Sequence, residues 1–529
     1  MKRIIVLFLA LCLIVSTAAC GSKQAATADP PATDKPVTTE APAEPTKAPA
    51  PTEAPKKSRT LVVGMEKEPA TLNACTSSEN IVLQVGHLYN GTLTSLNKEN
   101  GGAIQPAIAT SWEYLSNTEL VLHLRDDVYF HNGRKLTADD VVFTFEWTLN
   151  PDNGSVRYNN YAGKIDTVEK IDDYTVKIKM LNPDPALLEL LTYLFIVGED
   201  TVGTLNTEPI GCGPFRFVKW EANNGIEFEV FDKYYEADSI QFDKLYLRCF
   251  QDYNAALTAF FAGEVDIFLW LKTTDIPAVS ARPEFYAQTI DDAAYYLGSN
   301  IAYEPLANEK VREAIMYAID KNQLVTLLFG GVGTPISQVV ARTNQFYNPA
   351  LDWDQDIERA KQALIDAGYP DGLDLEISCT NQQIRVDMAT VLKEQLEKVG
   401  FRITVKAMES SDFFAYWRAG ESQLAIGNFG FYADPSFRST FVSSQYNNNW
   451  RIYGYDNAEY NDLYTQGMNE TDTAVRKEIY TKMWTKMRDE VGFFMLLSAT
   501  NNAAVKSNIE GFIYRGSGNS DFTKITFKD

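Results

Sequence analysis

Residues 387–405 read as a helix, a glycine stop at Gly400, and the alternating strand Phe401-Arg402-Ile403-Thr404-Val405. The same wiring recurs at residues 254–267, where a helix ends at Gly263 and Glu264-Val265-Asp266-Ile267 opens a strand. Residues 360–368 predict another helix, stopped by Gly368 and Pro370. Glycine closes a helix in the left-handed conformation without a Cβ penalty. Helix, stop and strand in that order constrain the chain to the α/β class, in which helices cover a sheet. Val311, Ala314, Ile315, Ala318 and Ile319 recur at helical spacing as one apolar face, and Asp320 with Gln323 starts the next helix. No repeat of solenoid type is present.

The N-terminus carries a short basic head, Met1-Lys2-Arg3, then an apolar run over residues 4–15 and Ser16-Thr17-Ala18-Ala19-Cys20. The run is too short for a permanent membrane span and reads as a signal peptide over residues 1–19. Residues 23–58 are rich in Pro, Ala, Thr, Glu and Lys and contain no aromatic residue. Such a segment cannot bury enough apolar surface to offset its ordering entropy, so residues 20–58 are expected to form a disordered tether. At about 3.1 Å per residue the tether would reach roughly 100 Å when fully extended.

Beyond the tether, about 470 residues remain, enough for two or three compact units. The 48 Lys and Arg against 70 Asp and Glu give a net charge of −22, which argues against nucleic-acid binding and against docking on an anionic membrane. Among the cysteines, Cys75, Cys212, Cys249 and Cys379 form no Cys-x-x-Cys pair, and buried free thiols are the expected state. Three histidines (His87, His123, His131) leave little material for a metal site or for histidine-centred catalysis. Neither His-Glu-x-x-His nor Gly-x-Ser-x-Gly occurs, so a secreted hydrolase is disfavoured, and no cofactor is expected.

Within residues 104–147, Leu120, Leu122 and Leu124 alternate as one strand face requires. Asn132-Gly133 suits a tight turn. Thr137, three residues before Asp140, makes a capping-box helix start. His131 reads as a turn histidine with a structural or solvated role. Taken in order, Pro106, Ile108, Ala109, Trp112, Leu124, Arg125, Phe130, His131, Asn132, Gly133, Thr137, Ala138, Asp139, Asp140 and Val141 resemble the signature region of the family 5 extracellular solute-binding proteins, which serve oligopeptide, dipeptide and nickel ABC importers. Glu68-Pro69, Leu88-Tyr89-Asn90-Gly91, Pro209-Ile210-Gly211-Cys212-Gly213-Pro214 and residues 311–321 resemble further elements of the same family.

The resemblance implies a two-lobed fold of the periplasmic-binding-protein type II kind with an inserted subdomain. Lobe one would hold residues 59–94, 208–298 and 498–529; the subdomain, 95–207; lobe two, 299–497. It implies a lipid on Cys20, after a lipobox-like sequence in which Thr17 replaces the usual leucine. The protein would then sit on the outer face of the cell membrane, held by that lipid alone, as a monomer that passes an oligopeptide to an ABC permease. Residues 427–435, Gly-Asn-Phe-Gly-Phe-Tyr-Ala-Asp-Pro, resemble the ligand stretch of peptide-binding members. Asp434 would receive the peptide's ammonium group, with Gly430, Phe431 and Tyr432 along its main chain. A charge-assisted hydrogen bond would supply strength there and strand pairing would supply sequence-independent affinity. The other expectation for Asp434 is a cap or turn role before Pro435. Ser78, Glu79 and Ile81 would meet the ligand from lobe one. Phe143, Phe413 and Trp417 are further candidates that could equally be core. The same fold could instead take an oligosaccharide, an opine or a metal chelate, or act as a surface sensor.

Overall fold

The computed structural model describes residues 59–97, 103–443, 455–470, 472–515 and 518–528, all within one compact unit, Lys57–Asp529. The expected signal peptide, Cys20 and the tether up to residue 58 lie outside the described residues.

An 11-stranded sheet organises the molecule. Two long antiparallel strands, Phe285–Ser299 and Phe493–Lys506, lie side by side at its middle, from Phe285 opposite Lys506 to Gly298 opposite Phe493. On one side come Ile267–Phe268, Thr60–Met65, Lys244–Cys249, Gly225–Val230 and Phe215–Glu221. On the other come Leu424–Gly430, Leu373–Thr380 and Phe401–Met408. Among the described residues each side has its own helices and core, and the two long strands contribute to both. The fold is therefore two-lobed, and these strands, called the hinge strands below, join the lobes.

The packing follows from strand periodicity, since successive side chains face opposite sides of a sheet. Leu297 points into a core with Ile315, Ile377, Leu392 and Phe401. Its neighbour Tyr296 points into a second core with Phe429, Tyr480, Trp484 and Phe493. The first lobe is built on Leu61, Val63, Val85, Leu245 and Ile267. A separate four-stranded antiparallel sheet (Ala109–Ser116, Glu119–Leu124, Thr175–Met180, Ile165–Asp172) packs Leu120, Leu122 and Leu124 against Val141 and Phe145 of helix Ala138–Leu149.

Local signals hold in detail. Gly400 has a φ of 112° and Gly263 a φ of 77°, values closed to most side chains. The Thr137 backbone N–H donates to Asp140 Oδ2 at 2.9 Å. Asp320 caps the helix Lys321–Phe329 by accepting from the Gln323 N–H at 3.0 Å. Arg312 donates to the carbonyls of Leu306, Ala307 and Asp489 at 2.8 to 3.0 Å, a structural role. The helix expected from residue 387 begins earlier, at Gln383. Ile384 and Val386 in its first turn are half-buried, and Ile384 stands one turn before Met388 on the face that Leu392 and Leu396 continue.

Candidate functional site

In open α/β sheets, ligands gather beyond the carboxyl ends of strands, where neighbours diverge. Leu373–Thr380 and Leu424–Gly430 diverge in this way: the ladder between them pairs only Ile377 with Leu424 and Ser378 with Ala425. From Ile426 to Gly430 the second strand is laddered only to the hinge strand Phe285–Ser299. Arg385 spans the fork, donating to Thr380 Oγ1 at 3.0 Å and to Asn428 Oδ1 at 2.6 Å.

A cavity of about 520 Å³ has on its wall Phe431, Tyr432 and Ala433, the residues that follow the strand Leu424–Gly430. The hinge supplies Thr289, Ile290, Asp291, Asp292 and Thr500. The second lobe supplies Thr334, Asn344, Phe431, Tyr432 and Ala433, and Glu189 and Tyr193 close the far side. Phe431 and Tyr432, two of the residues expected along a ligand's main chain, are on the wall of this cavity. Gly430 is exposed at the strand end just before them.

Asp434 requires a correction. Its carboxylate does not line the cavity; it is 9% exposed and both oxygens are taken by Arg476. Arg476 Nη1 donates to Oδ2 at 2.8 Å and Nη2 to Oδ1 at 3.0 Å. The Ser436 N–H adds a bond to Oδ1 at 2.9 Å. The guanidinium already supplies the cation that a peptide ammonium would bring, and the cap-or-turn expectation is the one this geometry matches.

Glu189, on the short helix Leu187–Leu190, meets the same loop directly. It accepts the Ala433 N–H at 2.8 Å and the Asp434 N–H at 2.6 Å. Burial pushes its carboxyl up to about 8, and the two backbone donors pull the other way.

From the first lobe, Glu79 and Ile81 line a hollow of about 270 Å³ with Glu66, Lys67, Asn80 and Trp270. Lys67 Nζ donates to Glu79 Oε2 at 3.2 Å. Trp270 has a φ of 58°; a bulky residue held there marks backbone strain of the kind that clusters at binding sites. Ser78 is exposed and lies outside this lining. Three further candidates belong elsewhere. Phe143 packs against the first-lobe core. Phe413 is buried and stacks on Trp417, which leans on the core around Phe429 and Tyr480. None of the three lines the cavity, because the apolar side of each helix is committed to packing.

His131 is structural. Its ring is buried, Nε2 lies 3.0 Å from the Gly213 carbonyl oxygen, and burial lowers its pKa to about 4. Cys75, Cys212, Cys249 and Cys379 are buried and unpaired. Among the described residues there is no cluster of metal ligands, and no helix is long and apolar enough to cross a membrane. Sequence reasoning missed Glu189, Tyr193, Asp291, Asp292 and Asn344. Only Asp291-Asp292, two adjacent acids between apolar residues of a long strand, carried a signal.

Two lobes, a two-stranded hinge and a lined cavity between them define a solute-binding protein. The model for bacterial extracellular solute-binding proteins, family 5 (middle region), matches residues 103–450, well over half the chain, and the protein belongs to that family of ABC-transporter substrate-binding proteins. Heme-binding protein A of Haemophilus influenzae is 25% identical over 471 residues, covering 81% of this chain and 85% of that protein. Oligopeptide-binding protein AppA of Bacillus subtilis is 26% identical over 493 residues, covering 86% and 89%. Among solved structures, HbpA2 of Haemophilus parasuis superposes with a TM-score of 0.82 at 23% identity, over 89% of this chain and all of that one. The murein tripeptide-binding protein MppA, in its unliganded open form, gives 0.80 at 20% identity, over 89% and 98%.

Proposed function

We propose that this receptor is tethered outside the cell by a lipid on Cys20, binds an extended peptide in the cavity between its lobes, and delivers it to an ABC permease. The observation that carries the peptide reading is the strand end from Ile426 to Gly430, which is laddered on one side only and runs to the cavity wall. An extended backbone can add to such an edge, with affinity common to many sequences. Relatives that include an oligopeptide-binding and a dipeptide-binding protein support it. Residues 95–207 serve as the inserted subdomain, and Glu189 on it reaches across to the second-lobe loop. A ligand touching both lobes favours the closed arrangement by its differential contacts.

A second reading, a non-peptide solute, is favoured by the Asp434–Arg476 pair, which removes the ammonium anchor that peptide binding would use. One relative is a heme-binding protein, and one structural neighbour holds agropinic acid.

Calorimetric titration with peptides of graded length, free and N-acetylated, separates the two. Binding by peptides above a minimum length supports the first reading. No heat from any peptide, with binding of heme, an opine or a sugar, establishes the second.

A further inference from the structure

Arg515 is a cation drawn out of water without a counter-charge. Its Nη2 donates to the Leu96 carbonyl at 2.9 Å, and its Nε is sealed inside with no partner. No carboxylate pairs with it among the described residues. Asp521 acts on it from beyond ion-pair range, and Asp521 Oδ1 already accepts from the Thr523 N–H at 2.8 Å and the Thr523 hydroxyl at 2.7 Å. Burial lowers the guanidinium from its ordinary value. A buried charge left unpaired is costly, and an unsatisfied group of this kind calls for a partner from outside the chain.

The backbone fixes Arg515 in place. Its N–H donates to the Ser520 hydroxyl oxygen at 3.0 Å, and the Gln84 side chain grips the Ser520 backbone at 2.9 and 3.1 Å. Arg515 thus stands on the wall of a second cavity, of about 460 Å³. Arg125 and Lys524 share that wall, but each is paired at 2.8 Å, with Asp127 and Glu236.

The second cavity adjoins the first. Asn519 lines both. Leu96, whose carbonyl holds the guanidinium, and Tyr193 line the 520 Å³ cavity. Burial raises the Tyr193 phenol, and the charges of Arg157 and Arg515 pull it back. Arg157 lies over the Tyr193 ring at 5.3 Å and also pairs with no carboxylate among the described residues. Positive charge therefore gathers where the two cavities meet.

On the reading of the 520 Å³ cavity as the solute site, we propose that Arg515 receives a carboxylate of the bound solute at this junction, so that solutes with a free carboxylate are the preferred cargo. In a peptide that group is the C-terminal carboxylate. Nη1, which makes no bond among the described residues, is the donor for the charge-assisted hydrogen bond. An amide at the same place brings no charge and leaves the guanidinium unpaired.

The test is calorimetry on the full-length protein with tri-alanine and penta-alanine, each as the free acid and as the C-terminal amide, and with glutarate as a non-peptide dicarboxylate. Both forms of a peptide share the terminal ammonium and the side chains, so the comparison isolates the carboxylate. The acid is expected to bind at least about tenfold more tightly than the amide, the effect of one charge-assisted contact. In Arg515→Gln that ratio falls towards one, and Arg515→Lys keeps part of it; thermal melts show that each variant is folded, and the wild-type ratio needs no variant. Equal wild-type affinity for acid and amide, or a ratio unmoved in Arg515→Gln, overturns the Arg515 assignment and leaves the peptide reading standing. Glutarate binding that Arg515→Gln loses, with no peptide bound, keeps the carboxylate assignment and removes the peptide reading. Silence from glutarate and every peptide overturns both.

Discussion

Asp434 and Arg476 meet as a bidentate ion pair in the interior, with Nη1 to Oδ2 at 2.8 Å and Nη2 to Oδ1 at 3.0 Å. The two side chains are 10% and 8% exposed. Arg476 also donates through Nε to the Gly467 carbonyl at 3.1 Å. The pair thereby fastens the loop that carries Phe431 and Tyr432 to the helix Thr473–Lys486. It shapes the cavity wall without entering the cavity.

Breaking that pair is expected to unsettle the fold more than the binding chemistry. Asp434→Ala leaves a guanidinium buried and unpaired, at a cost of about 3–5 kcal/mol. Arg476→Met is expected to cost a similar amount. The double variant Asp434→Leu/Arg476→Met should cost less than the sum, because neither charge is then stranded. Urea unfolding of the four proteins measures this. An Asp434→Ala loss within about 0.5 kcal/mol would match an exposed surface group instead.

Glu189 gives a pH-dependent contribution of definite sign. Its folded-state value is raised from 4.5 to about 8, first by burial. Its favourable contribution is therefore fully present below about 4.5 and is lost as pH rises through about 8. Glu189→Gln removes this titration, so the stability difference between wild type and variant should shrink as pH rises across that window. The slope cannot exceed about 1.4 kcal/mol per pH unit for one group. Denaturant unfolding at several pH values checks it, and a difference that grows with pH contradicts the assignment.

His131 titrates with the opposite sign. Burial lowers its value from 6.5 to about 4, so its stabilising contribution is full above 6.5 and is lost as pH falls towards 4. NMR of the histidine rings should show one imidazole that stays neutral down to about pH 4. A His131 midpoint near 6.5 would place the ring in water.

The thiols of Cys75, Cys212 and Cys249 are each pushed up to about 12 by burial, and Cys379 is raised for the same reason. Thiolates are the reactive form. A thiol reagent at neutral pH should leave these four unmodified in the native protein and label all of them in urea. Rapid native labelling at any of these positions would contradict their burial.

The sequence spoke clearly wherever a local rule decided the conformation. Gly263 and Gly400 close their helices, Thr137 and Asp320 open theirs, and Leu120, Leu122 and Leu124 face one core, because neighbours in the chain settle each of these. The family signature then carried the two-lobed architecture. The site was less legible because its wall is assembled from distant segments. Glu189 meets Ala433 across 244 positions, and no spacing rule links them. Asp434 was read from its motif as a ligand group; its partner Arg476 lies 42 residues on, and the pairing becomes visible only when both are buried together. Asp291 and Asp292 both line the cavity, because the ladder is bulged between Asp291 and Ala293, where a strict period of two places them on opposite sides.

Under the proposed function, the cavity between the lobes captures an extended, peptide-like solute from the cell's surroundings. Native mass spectrometry of the protein freshly purified from cells tests it most directly. The expected spectrum shows a ladder of added masses matching short peptides. A single discrete added mass matching heme, a sugar, an opine or a metal chelate would contradict the peptide claim.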